Sequence, residues 1–544
     1  MDRREIIKRL SVLPLAGALY PFESTFASET QQRRATTPAQ NIYQRMGIEP
    51  VINCRGTFTI IGGSVMCPEA VEAQRLASPF FAQLDEVAMG VGQRLADLTG
   101  AEWGMVSSGC AAALKHVAAG CVTGGNPEKL VRIPHLTGFE KTEIVVPRRY
   151  RTTYDHGIRC LGVTMVAVDT PEEMEKALSP RTAMIYLMAN NNVPPDGDFS
   201  YEQIMRMAKP LNIPVLADAA AEDLTVPNVH LARGVDVVAY SGGKALCGPQ
   251  SAGLLLGRKD ILMAAWQASS PHHGPGRDNK VNKDEQIAMV AAVEAWINRD
   301  HDAKWRTWRT WLENIGKRVA AINGVTYTIN EPGNNLSNRS HRLSISWDPE
   351  VFNITGSDVA EELATTKPRI ALTGTYIDNN GMTGVSITVG QMQPGEDKIV
   401  ADRLYEVLTR KNEKSKLDMA APRVNLSGRW DVDIDFFLDK GSHSFFIEQD
   451  GNFISGSHRG HFSTREMYGI VDGNNVRLVS SDRPALGNNV PFTFHGTATN
   501  NTMEGGIYMG EYLRASFTAK RYEAPANPAL NRPIVVPQGQ PLSS

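Results

Sequence analysis

The chain has 544 residues, enough for roughly three or four domains of ordinary size. It is 42% hydrophobic and 21% charged with a formal net charge of −3, a globular balance that gives no basis for a nucleic-acid partner. The six cysteines, Cys54, Cys67, Cys110, Cys121, Cys160 and Cys247, contain no C-x-x-C pair and all lie in the first half, which argues against a zinc site and against a disulfide-stapled secreted scaffold.

Residues 1–27 read as an export signal. The start is basic, with Arg3, Arg4, Lys8 and Arg9, and residues 11–22 are apolar but too short to span a bilayer. Thr25-Phe26-Ala27 has the small-x-small form of a cleavage site. Arg3-Arg4-Glu5-Ile6-Ile7-Lys8 resembles a twin-arginine signal, a route that carries folded, cofactor-loaded proteins. An ordinary secretory signal and a mitochondrial-type presequence are the competing readings; Glu5 and Glu23 weigh against the second. The expectation is export from a bacterial cytoplasm to the periplasm, with no stable membrane span. Residues 28–41 are a polar linker.

Residues 51–63 mix a short apolar strand with glycine turns and carry Asn53 and Arg55 in an apolar setting, as an edge strand or a site wall would. Residues 68–100 have helical spacing, with Val71, Leu76, Phe80, Leu84, Val87, Val91 and Leu95 on one face. Val106-Ser107-Ser108-Gly109-Cys110 then reads as a strand end, a turn and a helix start. Free N–H groups and two hydroxyls there suit a phosphate, although Ser-Ser-Gly is also a common helix cap. Strands at 143–147, 163–168 and 182–188 alternate with helices at 171–178 and 200–209, and the third strand runs into Asn190-Asn191-Asn192. Such alternation means a mainly parallel sheet with helices on both faces, whose ligands sit at the carboxyl ends of the strands.

Two strand ends carry the chemistry. The apolar run 213–217 ends in Asp218, and the run 235–240 ends in Ser241-Gly242-Gly243-Lys244. A solvated loop lysine and a helix-capping aspartate would account for either residue alone. Together, and behind the Ser107-Ser108-Gly109 turn, they suggest pyridoxal phosphate (PLP): Lys244 for the Schiff base and Asp218 to keep the pyridine nitrogen protonated.

Gly276-Arg277-Asp278-Asn279-Lys280-Val281-Asn282-Lys283 is either a surface loop or an anion clamp, and it leads into a helical pattern over 285–311. Residues 313–410 mix strands and helices as an α+β subdomain would, with Arg369 either a carboxylate fork or a plain surface arginine. A charged linker crosses 411–423. Residues 424–523 hold about eight short alternating runs with turns such as Asp450-Gly451 and Asp472-Gly473, which predict an antiparallel barrel or sandwich. His443, His458, His461 and His495 are expected on strand surfaces rather than at a metal. Residues 524–544 have the composition of a disordered tail.

With these motifs in place, residues 45–410 resemble the fold-type-I PLP enzymes grouped with selenocysteine synthase and D-glucosaminate-6-phosphate ammonia-lyase. The resemblance rests on Asn53-Cys54-Arg55-Gly56-Thr57, Thr99-Gly100-Ala101-Glu102-Trp103, Ser108-Gly109-Cys110-Ala111-Ala112, Asp218-Ala219-Ala220-Ala221-Glu222, and Ser241-Gly242-Gly243-Lys244-Ala245-Leu246-Cys247-Gly248-Pro249-Gln250, together with the 276–283 loop. It implies an aspartate aminotransferase-like large domain over 42–290, an α+β small domain over 291–410 and an appended barrel-like domain. Lys244 would be the base at the substrate Cα, and Asp218 the partner of the ring nitrogen. Ser107, Ser108, Gly109 and Ser241 would hold the phosphate, with Asn191 near the ring hydroxyl. Arg277, Lys280 and Lys283 would face the anionic groups of the substrate, with Arg55, Arg151, His156 and Arg369 as further candidates. Residues 149–156 should approach the ring face.

The ammonia-lyase side is the nearer one, because a tRNA-binding synthase would be neither acidic overall nor exported. The reading is therefore a PLP-dependent lyase acting on an amino acid or amino sugar acid, as a homodimer or higher homo-oligomer. Racemisation or transamination on the same scaffold is the alternative chemistry, and a non-catalytic binding protein the alternative class. The export signal and the barrel set the substrate apart from a phosphorylated sugar acid.

Overall fold

The computed structural model describes residues 41–190, 192–375, 378, 380–412, 419–480, 490–510 and 512–523. The expected export signal, nearly all of the linker behind it, the C-terminal tail and Asn191 lie outside the described residues. Up to Pro50 the described chain forms a separate unit with one short helix, Ile42–Arg45, capped by Asn41.

From Val51 onward the chain builds three layers of structure in sequence. The strands before residue 260 are β1 (Val51–Asn53), β2 (Trp103–Ser107), β3 (Glu143–Pro147), β4 (Thr164–Val168), β5 (Thr182–Met188), β6 (Val215–Asp218), β7 (Val237–Ser241) and β8 (Gly253–Gly257). Seven of them form one sheet in the order β2-β8-β7-β6-β5-β3-β4. The neighbours β4, β3, β5, β6 and β7 are parallel, and β8 runs antiparallel between β7 and β2. These strands are continuous apolar runs because helices cover both faces, so no alternation is needed. Leu114, Ile144, Ile158 and Tyr186 are fully buried against the sheet. Each such side chain contributes about 1.5–3 kcal/mol when removed from water.

Two helical runs are broken where the sequence reading has them continuous. Residues 68–100 form Pro68–Ala77 and Leu84–Thr99, separated by Pro79, whose ring cannot continue a helix. Val71, Leu76 and Phe80 are consequently exposed rather than on a shared buried face. The 285–311 pattern divides into Lys283–Asn298 and His301–Ala320, and Asp300 caps the second through the Ala303 N–H at 2.8 Å.

The small domain is a four-stranded antiparallel sheet in the order β12-β13-β10-β9, with β9 Thr326–Asn330, β10 Arg342–Trp347, β12 Thr373–Thr375 and β13 Thr383–Thr388. Helices His301–Ala320, Gly356–Thr365 and Glu396–Thr409 contribute to its core. β1 pairs in parallel with β11 (Arg369–Ala371), and Cys54 is buried in the small-domain core. The first strand thus belongs with the small domain, not with the large domain that follows it in sequence.

Residues 428–521 close into an eight-stranded barrel. Its strands are β14 (Gly428–Asp435), β15 (Lys440–Asp450), β16 (Phe453–Arg459), β17 (Thr464–Asp472), β18 (Asn475–Ser480), β19 (Phe492–Ala498), β20 (Thr502–Met509) and β21 (Tyr512–Arg521). Each pairs antiparallel with the next, and β14 pairs with β21 to remove the edges. Trp430, Val432, Ile434, Phe445, Phe494 and Phe517 fill the interior.

His443 and His458 overturn the surface expectation: they are 9% and 1% exposed. His443 Nδ1 lies 2.8 Å from His458 Nε2, and His458 Nδ1 lies 2.8 Å from Ser480 Oγ. His461 and His495 are exposed. Alternation explains the difference: His443 is in phase with inward Phe445 and Ile447, and His458 with inward Ile454.

Candidate active site

The sheet places Ser107, Asp218 and Ser241 at the carboxyl ends of β2, β6 and β7. β2 leads directly into helix Gly109–Thr123. Gly109 has φ +78°, a left-handed conformation that lets the chain turn within one residue from strand to helix. The Ser107 hydroxyl is buried and donates to the Gly109 carbonyl at 2.9 Å. Ser108 makes no side-chain cap, so its hydroxyl and the first N–H groups of a 15-residue helix remain for an anion. Gly253 of β8 closes the floor: a Cβ there would meet the Gly109 carbonyl oxygen at 2.6 Å and Ser107 Oγ at 2.7 Å.

Asp218 is 2% exposed. Its Oδ2 accepts from the Tyr186 hydroxyl at 3.0 Å, and its Oδ1 from the Ala220 N–H at 3.0 Å and the Cys110 thiol at 3.6 Å. Burial pushes its carboxyl above the usual carboxylate range. The Ala220 N–H, the Tyr186 hydroxyl, the charge of Lys244 and the Cys110 thiol pull against that rise. A buried acid held this way is completed by a cation or a protonated heterocycle. Tyr186 was not marked by the sequence reading. The available signal was a hydroxyl in the middle of a fully buried strand, which requires a partner.

Lys244 sits in a tightly bonded turn. Gly242 N–H donates to the Ala252 carbonyl at 2.8 Å, Gly248 N–H to the Gly242 carbonyl at 2.8 Å, and Cys247 N–H to the Lys244 carbonyl at 3.1 Å. Lys244 Nζ is 6.0 Å from the centroid of the Tyr154 ring, which places an aromatic of the 149–156 segment at the lysine. Lys244 also lines a cavity of about 80 Å³. Asp223, Lys304, Trp305, Trp308 and Arg339 are among the other side chains of its wall. The Arg339 guanidinium lies 4.4 Å over the Trp305 ring, and Lys304 Nζ 4.7 Å from the Trp308 ring centroid. Arg339 Nε is buried with no hydrogen-bond partner among the described residues. Burial lowers the Lys304 amine and raises the Asp223 carboxyl to about 6, the latter against Arg339 and Lys304.

The anion-binding candidates from the sequence stand elsewhere in this chain, and none of them lines that cavity. Arg151 is ion-paired with Asp155, which is fully buried and also pairs with Arg159 at 2.8 Å. Lys283 donates to the Ala77 and Ser78 carbonyls at 3.2 and 3.0 Å, closing the end of helix Pro68–Ala77. Arg277 donates to Ser270 Oγ at 3.2 Å, and Arg369 to the Ala364 carbonyl at 2.7 Å. Arg55 lies 4.6 Å over the Phe58 ring. His156 and Lys280 are exposed. The cavity cations, Lys304 and Arg339, come from the small-domain side. Distance in sequence hid them, because only folding brings them to Lys244.

The residues at the strand ends fit PLP. They offer a helix N-terminus with a free hydroxyl for a phosphate, a buried carboxyl with no ion pair among the described residues, and a lysine whose charge that carboxyl feels and which lines the cavity.

The chain is similar to several known proteins in sequence and fold. A family model, aminotransferase class-V, matches residues 108–284. The chain is 26% identical over 332 residues to D-glucosaminate-6-phosphate ammonia lyase of Salmonella typhimurium, covering 59% of this chain and 86% of that one. It is 25% identical over 378 residues to 5'-C-glycyluridine monooxygenase-decarboxylase of a Streptomyces species, covering 67% and 92%. With L-seryl-tRNA(Sec) selenium transferase of Moorella thermoacetica it shares 28% over 296 residues, 48% of this chain and 58% of that one. A solved structure of D-glucosaminate-6-phosphate ammonia-lyase superposes with a TM-score of 0.61 at 26% identity, covering 70% of this chain and all of the other.

Proposed function

From a chain that belongs to the aminotransferase-like, fold-type-I family of PLP proteins, related to D-glucosaminate-6-phosphate ammonia-lyase and extended by a C-terminal β-barrel, we propose a PLP-dependent lyase that removes ammonia from an amino acid or amino sugar acid. The observation that carries this reading is the pairing of Asp218 with Lys244. A buried carboxyl and a lysine whose charge it feels stand at neighbouring strand ends, and the lysine opens onto a cavity.

When bound, PLP supplies an electron sink for the charge left at the substrate Cα. The chain's own groups do the rest. The helix N-terminus at Gly109 and the Ser108 hydroxyl bind the phosphate, with Ser241 beside them. Asp218 holds a proton on the ring nitrogen. The Lys244 amine takes the proton from Cα. Arg339 and Lys304 attract an anionic group of the substrate, since both face a cavity in which only Asp223 is acidic among the described residues. Trp305 and Trp308 narrow the cavity and exclude water, which strengthens those charge interactions.

The substrate is an unphosphorylated amino acid or amino sugar acid met outside the cytoplasm. Support for export is the sequence of residues 1–27, with its paired arginines, short apolar run and small-residue site. Among the described residues, no helix is long and apolar enough to cross a membrane. A homodimer is the working assembly. What supports it is the exposure of the large apolar side chains Phe58, Ile60, Val65, Phe80, Phe81 and Tyr154, which a second subunit would cover.

Incubating the purified protein with PLP and D-glucosaminate, or with D- or L-serine, tests the reading. A 2-oxo acid with stoichiometric ammonia supports elimination. Inverted substrate means a racemase, a persistent pyridoxamine form an aminotransferase, and oxygen uptake with carbon dioxide release an oxidative decarboxylase.

A further inference from the structure

Asp223 is the acidic residue in the wall of the cavity that Lys244 enters. Backbone contacts fix its place. Its N–H donates to the Leu336 carbonyl at 3.0 Å, the Asn338 N–H donates to the Ala221 carbonyl at 2.7 Å, and Glu222 and Ser337 form an antiparallel bridge between them. This bridge brings a large-domain strand end against the small-domain segment that carries Arg339. The carboxyl itself receives no hydrogen bond from the described residues, so it is free for a ligand, whereas the Asp218 carboxyl already accepts from Tyr186, Ala220 and Cys110.

Resting on the lyase reading, we infer that Asp223 is the acid that protonates the departing oxygen of a 2-amino-3-hydroxy acid. The bonds and charges balance as follows. The Cα–H bond breaks, and its proton passes to Lys244. The Cβ–O bond breaks, its electron pair leaves on oxygen, and the Asp223 proton turns that oxygen into water. The unsaturated amine that remains takes up water and divides into a 2-oxo acid and ammonia. No oxidant or reductant is consumed. Hydroxide is a poor leaving group, so the acid is required, and Lys244 is occupied with the Cα proton when the C–O bond breaks.

The surroundings suit this role. Burial raises the Asp223 carboxyl to about 6, Glu222 adds to the rise, and Arg339 and Lys304 oppose it. His301 and Lys244 are the other titratable side chains with basic groups on the cavity wall. A carboxyl in that range is half protonated near pH 6 and keeps its proton in about a tenth of molecules at pH 7, enough to act as an acid that gives the proton up readily.

The test compares two leaving groups on PLP-loaded protein, wild type and Asp223→Asn. Serine and D-glucosaminate lose a hydroxyl, whereas 3-chloroalanine loses chloride, which needs no proton. The expected result is a loss of about 100-fold or more for the hydroxyl probes, with a much smaller change for chloride. PLP affinity, read by absorbance titration, should match the wild type. The wild-type rate with hydroxyl probes should also fall as pH rises above about 6, a limb that the variant lacks. Equal slowing of both leaving groups would mean a structural role and overturn the assignment. No slowing of either would mean that Lys244 makes both transfers, which also overturns it. Failure of the lyase reading has its own signature: wild-type protein then releases 2-oxo acid from none of the probes.

Discussion

The buried imidazole pair of the barrel makes its stability depend on pH, and the size of the effect follows from the structure. Burial lowers His443 to about 4 and His458 to about 3, with the neighbouring positive charge of Arg465 acting in the same direction on both. An unfolded histidine titrates near 6.5. Between those values the unfolded chain binds protons that the folded barrel refuses, so stability is full above about 6.5 and is lost as pH falls. Taking the pH from 7 to 5 costs about 2 kcal/mol for each imidazole, or roughly 4 kcal/mol for both. In a domain of this size that lowers the unfolding temperature by about 15 °C or more. Calorimetry of the whole chain should resolve the barrel, because its buried cluster, Val424 to Ala519, is separate from the clusters of the α/β body. The double variant His443→Gln/His458→Gln should lose most of the pH dependence of that transition, whatever its absolute stability. A wild-type barrel transition that stays level between pH 7 and 5, or a variant with the same slope, would refute the reasoning.

Two further outcomes concern the α/β body. Asp218→Asn should still fold and bind PLP but lose most turnover, because an amide cannot keep the ring nitrogen protonated; activity equal to wild type would mean that another group contacts that nitrogen. A protein ending at Lys411 should fold, bind PLP and keep its Cα chemistry, since every residue assigned to the site precedes that position; normal PLP absorbance without turnover would instead make the barrel part of the substrate pocket.

Much of the fold was legible in the sequence because period and composition report it directly. The strand ends at Ser107, Asp218 and Ser241 follow apolar runs long enough to be buried strands, and the turn residues behind them mark where each run stops. The barrel was legible as alternation, with Trp430, Val432 and Ile434 facing inward. The same alternation places His443 and His458 inside, and the preference of polar side chains for surfaces hid it. The two long helices were misjudged where a local signal, Pro79 or the Asp300 cap, outweighed the wider periodicity.

The site was legible only as far as its chemistry is local. Lys244 and its glycine turn are adjacent in sequence, and Asp218 ends the preceding strand. Tyr186 is 32 residues from the carboxylate it serves. The cavity wall draws Lys304 and Arg339 from a helix start and a loop that meet the large domain through the Glu222–Ser337 bridge. Basic residues near Lys244 in sequence, such as Arg277 and Lys283, read as anion ligands, yet their donors are bonded to Ser270 and to the end of a helix.

The central claim is that Lys244 binds PLP covalently in the cleft beside Asp218. Absorbance spectra of wild-type and Lys244→Ala protein, each reconstituted with PLP and freed of excess cofactor, test it most directly. The wild type should show the visible band of a lysine-bound cofactor, lost on borohydride reduction with the label fixed to the peptide containing Lys244. The variant should show no such band. A band that persists in Lys244→Ala, or a label on another peptide, would contradict the account.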